Sequence, residues 1–278
     1  MLKQLIKRTA TAVGMAAATL SAQQASAGDA DLGAAATNPV SNLVQFRLQN
    51  QYAPESYNAD SWGNTALIQA VAPLPSLASK FDSLQGIVTR TTAAYVSTPQ
   101  LPNGINRKNG LGDTQMQVFF VPKKAPKKTV WGIGPAFTFP TAGDNDFTGA
   151  GQWQAGPTAV AMVTPVPGVQ LGALLIQQWD FHETRSNAKD QSLLNVQPII
   201  FKHFDGGWYI GAPDVPQVYN WKTNDWSLNL GATVGRVGPV GGRPMQIYGG
   251  IYYNTEENDD QVSSEWVFKV NVGFLFPG

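Results

Sequence analysis

The stretch from Trp266 to Phe276 constrains the fold of this chain more than any other. Trp266, Phe268, Val270, Val272, Phe274 and Phe276 fall on one parity; Val267, Lys269, Asn271, Gly273 and Leu275 fall on the other. Successive side chains of a β-strand point to opposite faces. One face is therefore wholly apolar with aromatics at both ends, and the other is mixed and polar. Strands in soluble domains usually run about 5–6 residues, whereas a strand that crosses a bilayer needs ~9–11 tilted residues and carries aromatics at both interfaces. Residues 44–52 repeat the pattern: Val44, Phe46, Leu48 and Tyr52 share one face, and Gln45, Arg47, Gln49 and Gln51 the other. A polar inside with an apolar outside reverses a soluble core and matches a barrel in lipid.

The N-terminus places such a barrel outside the cytoplasm. Lys3, Lys7 and Arg8 precede an uncharged, small and apolar run from Ala10 to Leu20, and Ala25-Ser26-Ala27 forms an A-x-A site before Gly28. This reads as a secretory signal peptide, residues 1–27. Its apolar run is well short of the ~20 residues of a spanning helix. No later run is long enough either, so a membrane form must be a closed barrel. Removing the three basic residues of the leader from 19 leaves 16 against 19 acidic ones, and this balance argues against a nucleic-acid partner. The chain has no cysteine, which excludes disulfides, thiol nucleophiles and thiolate metal sites. Charged residues make up 14%, against a typical ~25%, and the 28 Gly and 8 Trp suit a lipid-embedded wall.

Residues 28–43 are expected to be an N-terminal periplasmic segment, a short helix or a partial plug. Residues 44–278 are then a single antiparallel up-and-down β-barrel of about twelve strands: 44–52, 64–72, 84–97, 111–121, 130–139, 152–163, 169–179, 193–204, 208–212, 226–235, 243–254 and 266–276. The even number fits a single-chain barrel. Connections alternate as well. Those at 53–63, 98–110, 140–151, 180–192, 213–225 and 255–264 are polar and ten residues or longer. Those at 122–128, 164–168, 205–207 and 236–242 are short and rich in Pro and Gly; only 73–83 breaks the rule. Long outer loops and short periplasmic turns give this asymmetry, with both termini periplasmic. Pro157 and Pro198 fall inside strands, and each implies a bulge or local break, because Pro gives the ladder no donor.

An ordered series of short motifs runs through most of the barrel: Leu111-Gly112-Asp113, Gly134-Pro135, Phe139-Pro140-Thr141, Gly151-Gln152-Trp153-Gln154-Ala155-Gly156-Pro157, Gln177-Gln178-Trp179, Asn195-Val196-Gln197-Pro198, Gly207-Trp208 and Phe274-Leu275-Phe276-Pro277. The series resembles the outer-membrane β-barrel family of MetA-pathway phenol-degradation proteins, also labelled transporters. The resemblance implies uptake of small hydrophobic or aromatic compounds in the outer membrane of a Gram-negative bacterium. It transfers no catalytic or binding residue and does not single out phenol.

Candidate chemistry is sparse. His182 lies in an expected outer loop and His203 near a turn at the opposite face, so they cannot serve one metal or one triad. A solvated loop histidine outweighs a hydrolase built from His182 and a loop serine. Asp144-Asn145-Asp146 lacks the Gly and distal Glu of a calcium loop. The acidic run 256–260 and the basic run 123–128 read as solvated loop and turn, although the acidic loop could meet cations that bridge lipopolysaccharide. Gly132 and Gly134 lie within a strand, outside any nucleotide-binding context. Inward positions are mostly Gln, Asn, Thr, Ser and Gly. Arg47, Arg90, Asp113, Gln115, Gln117, Asn195, Gln197 and Lys269 are the candidate solute-path residues, and Arg47, Arg90 and Asp113 form either a structural ion pair or solute contacts. Tyr52, Trp153, Trp179, Trp208, Trp226 and Trp266 are expected as interface girdle.

The expected function is a non-enzymatic, cofactor-free and metal-free outer-membrane channel for passive uptake or efflux of small neutral, hydrophobic or aromatic solutes. Its expected partners are membrane lipid, lipopolysaccharide, the solute and the barrel-assembly machinery, which would read the C-terminal strand. The alternative is a non-transporting barrel, structural or surface-interacting through its outer loops. An exported soluble β-protein is a third reading, which the lipid-facing aromatics oppose.

Overall fold

The computed structural model describes residues 29–276 apart from 102–103, 144–146, 187, 213 and 256–262. Twelve antiparallel strands form one closed wall. They are β1 (Val44–Ala53), β2 (Gly63–Pro73), β3 (Leu84–Ser97), β4 (Thr114–Pro122), β5 (Thr129–Phe139), β6 (Gln152–Val163), β7 (Val169–Glu183), β8 (Ser192–His203), β9 (Trp208–Gly211, resumed at Gln217–Asn220), β10 (Asn229–Val240), β11 (Arg243–Asn254) and β12 (Trp266–Phe276). Each pairs with its sequence neighbours. The first strand closes on the last, in a register running from Val44↔Phe276 to Tyr52↔Phe268. Closure removes the free edges that lipid could not satisfy. Among the described residues no helix is long and apolar enough to cross a membrane. The all-β, twelve-strand barrel expected from the alternation is the observed fold.

Side-chain parity sorts the wall. In β12, Trp266, Phe268, Val270 and Phe276 are exposed while Lys269, Asn271 and Leu275 are buried inside. The six expected girdle aromatics all stand exposed. The tightest connection, between β10 and β11, is Gly241-Gly242, both with positive φ (58° and 77°); a two-residue hairpin whose central residues both need positive φ favours glycine there. Connections fall into a long-loop end and a short-turn end, and the exceptional 74–83 link holds a short helix, α2 (Pro75–Ala78). A nine-residue helix, α1 (Asp29–Thr37), precedes the barrel.

Several boundaries differ from expectation. The signal peptide, residues 144–146 and the acidic run 256–260 lie outside the described residues. The expected strand 111–121 is two pieces, Asn109–Leu111 and β4, because Asp113 between them turns away to hold a loop. Strand β7 runs on to Glu183, and His182 pairs with Trp153 in the wall rather than sitting in a loop, since β6 begins at Gln152 and its backbone needs that partner. The β6–β7 ladder skips Gly156 and Pro157, a local break of the kind proline implies.

The largest departure concerns 213–225, expected as an outer loop. Strand β8 pairs with the first piece of β9 at Phe201–His203 and with the second at Leu193–Val196. Between these stretches, opposite Pro198, the chain leaves the wall. Gln217 closes part of the gap: its amide donates to the Asn229 carbonyl at 3.0 Å, and Asn229 Nδ2 donates to the Pro216 carbonyl at 3.1 Å. The remainder of the expected loop is a hairpin, Gln217–Asn220 paired with Asp225–Ser227.

Candidate functional site

The barrel interior changes character along its axis. Toward the short-turn end the inward rows become apolar. In β4, Gln115 and Gln117 give way to Phe119 and Val121, the latter two buried with Val71, Val88, Val160, Met162 and Ile199 in one cluster that also includes Val40. The interior is thus not polar throughout, as the alternation suggested. A second cluster joins Ala36 and Leu43 to Tyr209, Val237, Tyr248 and Leu275. Its N-terminal members show that the segment after α1 lies inside the barrel mouth.

Hydrogen bonds fix α1 there. Arg47 Nη2 donates to the Ala36 carbonyl at 2.7 Å, and Gln170 Nε2 donates to the Ala34 carbonyl at 2.9 Å. Thr37 Oγ1 donates to Gln170 Oε1 at 2.6 Å and lies 3.2 Å from His203 Nε2. These carbonyls belong to the last turn of the helix, where no backbone donor follows to take them. His203, one of the two histidines weighed in the sequence, is therefore a buried anchor for the helix, at the opposite end of the barrel from His182.

Above the helix lies a charged layer. The inward-turned segment of β9 brings Asp214 into the lumen, where its side chain is 13% exposed. Lys269 Nζ meets its carboxylate at 3.1 Å and its carbonyl at 2.6 Å. Gln197 Nε2 donates to the carboxylate at 2.6 Å, and the Tyr248 hydroxyl donates to it as well. Arg47 Nε and Nη2 donate to Gln45 Oε1 at 3.0 and 2.6 Å. In the orientation that satisfies both partners, the Gln69 amide oxygen accepts from Arg90 Nε and Nη2 at 3.0 and 3.1 Å. Arg47, Arg90, Asp214 and Tyr248 line one small space of about 40 Å³, room for a few waters at most.

Beyond this layer the lumen opens. A cavity of about 310 Å³ sits directly above it, lined by Arg90, Asp214 and Lys269 at its floor and by Gln115, Leu174, Ile176 and Asn195 among its walls. A further cavity of about 320 Å³ lies among the loops, bordered by Gln51, Asn64, Leu101, Phe147 and Val267. Gln51 borders both large cavities, and Arg90 and Asp214 border both the middle cavity and the small one. The three spaces therefore adjoin one another, and Arg90 with Asp214 stands at the border between the middle one and the small one.

Of the residues singled out in the sequence, Arg90, Asp113, Gln115, Gln117, Asn195, Gln197 and Lys269 all border the middle cavity, and Arg47 lies below it. The suggested Arg47–Arg90–Asp113 ion pair is not formed. Asp113 instead accepts from the backbone N–H groups of Ala142 at 3.2 Å and Ala150 at 2.6 Å, pinning the β5–β6 loop. Asp214 supplies the lumen carboxylate and was missed because its segment reads as loop. Elsewhere, Asp180, Glu183 and Asp190 place ligand atoms within 4.8 Å of one another. They lie at the surface, and Asp190 pairs with Lys222 at 3.3 Å while Asp180 accepts from Gln191 N.

Comparison with solved structures places this architecture. The chain is similar to the COG4313 outer membrane channel from Pseudomonas putida F1, with 12% identity over 84% of this chain and 94% of that one and a TM-score of 0.58. The fold is that of an outer-membrane β-barrel. Lesser likeness extends to the KdgM porin, with 12% identity, coverage of 84% and 98%, and a TM-score of 0.43. No family model matches the chain, nor does any curated protein sequence.

Proposed function

We propose that this barrel is an outer-membrane channel for passive movement of small solutes with hydrophobic or aromatic bodies, held closed here by α1 and the apolar belt. The observation that carries the reading is the run of adjoining cavities, about 310 Å³ on one side and about 40 Å³ on the other of one layer of charged side chains. A merely structural barrel has no need of a chamber that ends at a single charged partition. The similarity to a solved outer membrane channel and the motif resemblance to the MetA-pathway phenol-degradation barrels support the same class. The length asymmetry of the connections supports periplasmic termini in a Gram-negative outer membrane, with lipid and lipopolysaccharide around the wall and assembly machinery engaging β12.

The closed short-turn end favours one competing reading, a non-transporting barrel that acts through its loops. Liposome swelling with phenol-sized solutes separates the two. The full chain is expected to give slow swelling and a variant lacking residues 28–42, which removes both α1 and the Val40 that packs into the apolar belt, fast swelling. If the deleted barrel stays folded and still passes nothing, the channel reading fails and the structural one stands.

A further inference from the structure

We infer that the charged layer is a binding site for the carboxylate group of an amphipathic monocarboxylic acid, with Arg90 as its principal contact. This deepens the channel reading and rests on it for its physiological meaning; the binding itself does not depend on flux. It also revises the neutral solute expected from the sequence, which rested on inward positions being mostly Gln, Asn, Thr, Ser and Gly.

Three cations, Arg47, Arg90 and Lys269, meet one carboxylate, Asp214, in one layer. Asp214 is committed to Lys269 at 3.1 Å. Among the described residues no carboxylate lies within ion-pair distance of Arg47 or Arg90. The layer itself thus carries an excess of two positive charges, reduced to one by Asp113, which also borders the chamber, inside a low-dielectric wall where an opposite charge is attracted far more strongly than in water. The guanidiniums differ in availability. Arg47 gives its donors to Gln45 and to the Ala36 carbonyl beneath the layer. Arg90 borders the middle cavity, and its one protein acceptor is the neutral Gln69 amide. A guanidinium offers five donors in a planar fork matched to a carboxylate, so Arg90 has donors to spare toward the chamber.

The chamber supplies the rest of the recognition. Leu67, Ala94, Leu174 and Ile176 give it an apolar wall above the cationic floor. Its volume of about 310 Å³ falls at the lower end of the ~300–1,000 Å³ typical of small-ligand sites. An aromatic or short branched acid fits both features, with its head on Arg90 and its body against the apolar wall. A neutral alcohol or amide of the same shape gains the wall alone.

The test uses the full barrel in detergent micelles, titrated calorimetrically with benzoate and with benzamide. Benzoate is expected to bind at least tenfold more tightly, the scale of one charge-assisted hydrogen bond, and its affinity should fall as salt is raised. Arg90→Gln should weaken benzoate at least tenfold and leave benzamide unchanged. Asp214→Asn should strengthen benzoate, because it removes the competing carboxylate. Opposite signs for these two variants mark an electrostatic site, which a purely structural role would not produce. Equal affinity for benzoate and benzamide in the unaltered barrel overturns the proposal, as does an Arg90→Gln barrel that folds and binds benzoate normally. If Arg90→Gln does not fold, the benzoate–benzamide comparison and its salt dependence decide the matter alone. Benzoate binding without flux in swelling assays would sink the channel reading and leave this site standing; flux without benzoate preference would do the reverse.

Discussion

Gln170 is the most informative position for testing how the barrel is closed. It is 3% exposed and touches α1 twice, accepting from Thr37 Oγ1 at 2.6 Å and donating to the Ala34 carbonyl at 2.9 Å. Gln170→Leu keeps most of the volume and removes both bonds. At about 1 kcal/mol net for each neutral hydrogen bond, the docked helix loses about 2 kcal/mol relative to a state in which it has left the mouth. With 1.4 kcal/mol to each factor of ten, the undocked fraction rises about thirtyfold. Arg47 still holds the Ala36 carbonyl, and the apolar contacts of Ala36 and Leu43 remain, so the docked state stays the majority. Hydrogen exchange at the backbone amides of residues 36–38 should accelerate by about the same factor, and open probability in planar bilayers should rise with it. An unchanged exchange rate in a folded variant would refute the claim that these bonds hold the helix. Raised conductance with unchanged exchange would show that something other than α1 forms the closure.

Three other substitutions probe the wall and the layer. Lys269→Met leaves the buried Asp214 carboxylate without its ion-pair partner and should lower stability by about 3–5 kcal/mol in urea unfolding; adding Asp214→Asn to the same chain should restore much of the loss. Gly134→Ala drives a Cβ into the Val118 carbonyl of the adjacent strand. Because the obstacle is backbone, the cost should reach or exceed the ~1–3 kcal/mol typical of overpacking, and a midpoint unchanged from the unaltered barrel would show that the strands can part freely there. Phe276→Ala should reduce the folded, heat-modifiable band recovered from cell envelopes several-fold while barely altering refolding in detergent, provided the assembly machinery reads the end of β12; equal loss in both settings would assign Phe276 to stability instead.

The wall was legible because lipid and lumen impose opposite demands on alternate residues. Val44–Tyr52 and Trp266–Phe276 each show two clean rows, and these two strands pair to close the barrel. What escaped the pattern was any place where both faces want the same thing. At Ile87-Val88, Phe119-Phe120-Val121, Leu174-Leu175-Ile176 and Ile199-Ile200-Phe201, the alternation disappears. In these runs Phe120, Leu175 and Ile200 are exposed outward while Phe119, Leu174, Ile176 and Ile199 are buried inward. A lumen-facing row turns apolar where it packs against other apolar groups, as Phe119 and Ile199 do, or where it walls the chamber, as Leu174 and Ile176 do. Clustered near the short-turn ends of successive strands, such doublets are a readable sign that a barrel is filled at that depth.

Asp214 escaped for a different reason, and the same reasoning shows how it could have been found. Ala212-Pro213-Asp214-Val215-Pro216 reads as loop because its two prolines have no N–H for a ladder, and nothing local says whether such a loop projects outward or turns in. The charge balance of the lumen does say so. Arg47, Arg90 and Lys269 all fall on inward parity, and cations taken out of water need partners. Asp113, the carboxylate on inward parity, sits at the loop end of its strand, where it holds two backbone amides. A second acidic group had to come from a segment free to leave the wall, and the proline-flanked Asp214 opposite Pro198 is the one that both breaks the ladder and carries the charge. Even so, one carboxylate against three cations leaves the layer short of negative charge, and a solute carboxylate at Arg90 is the natural way to complete it.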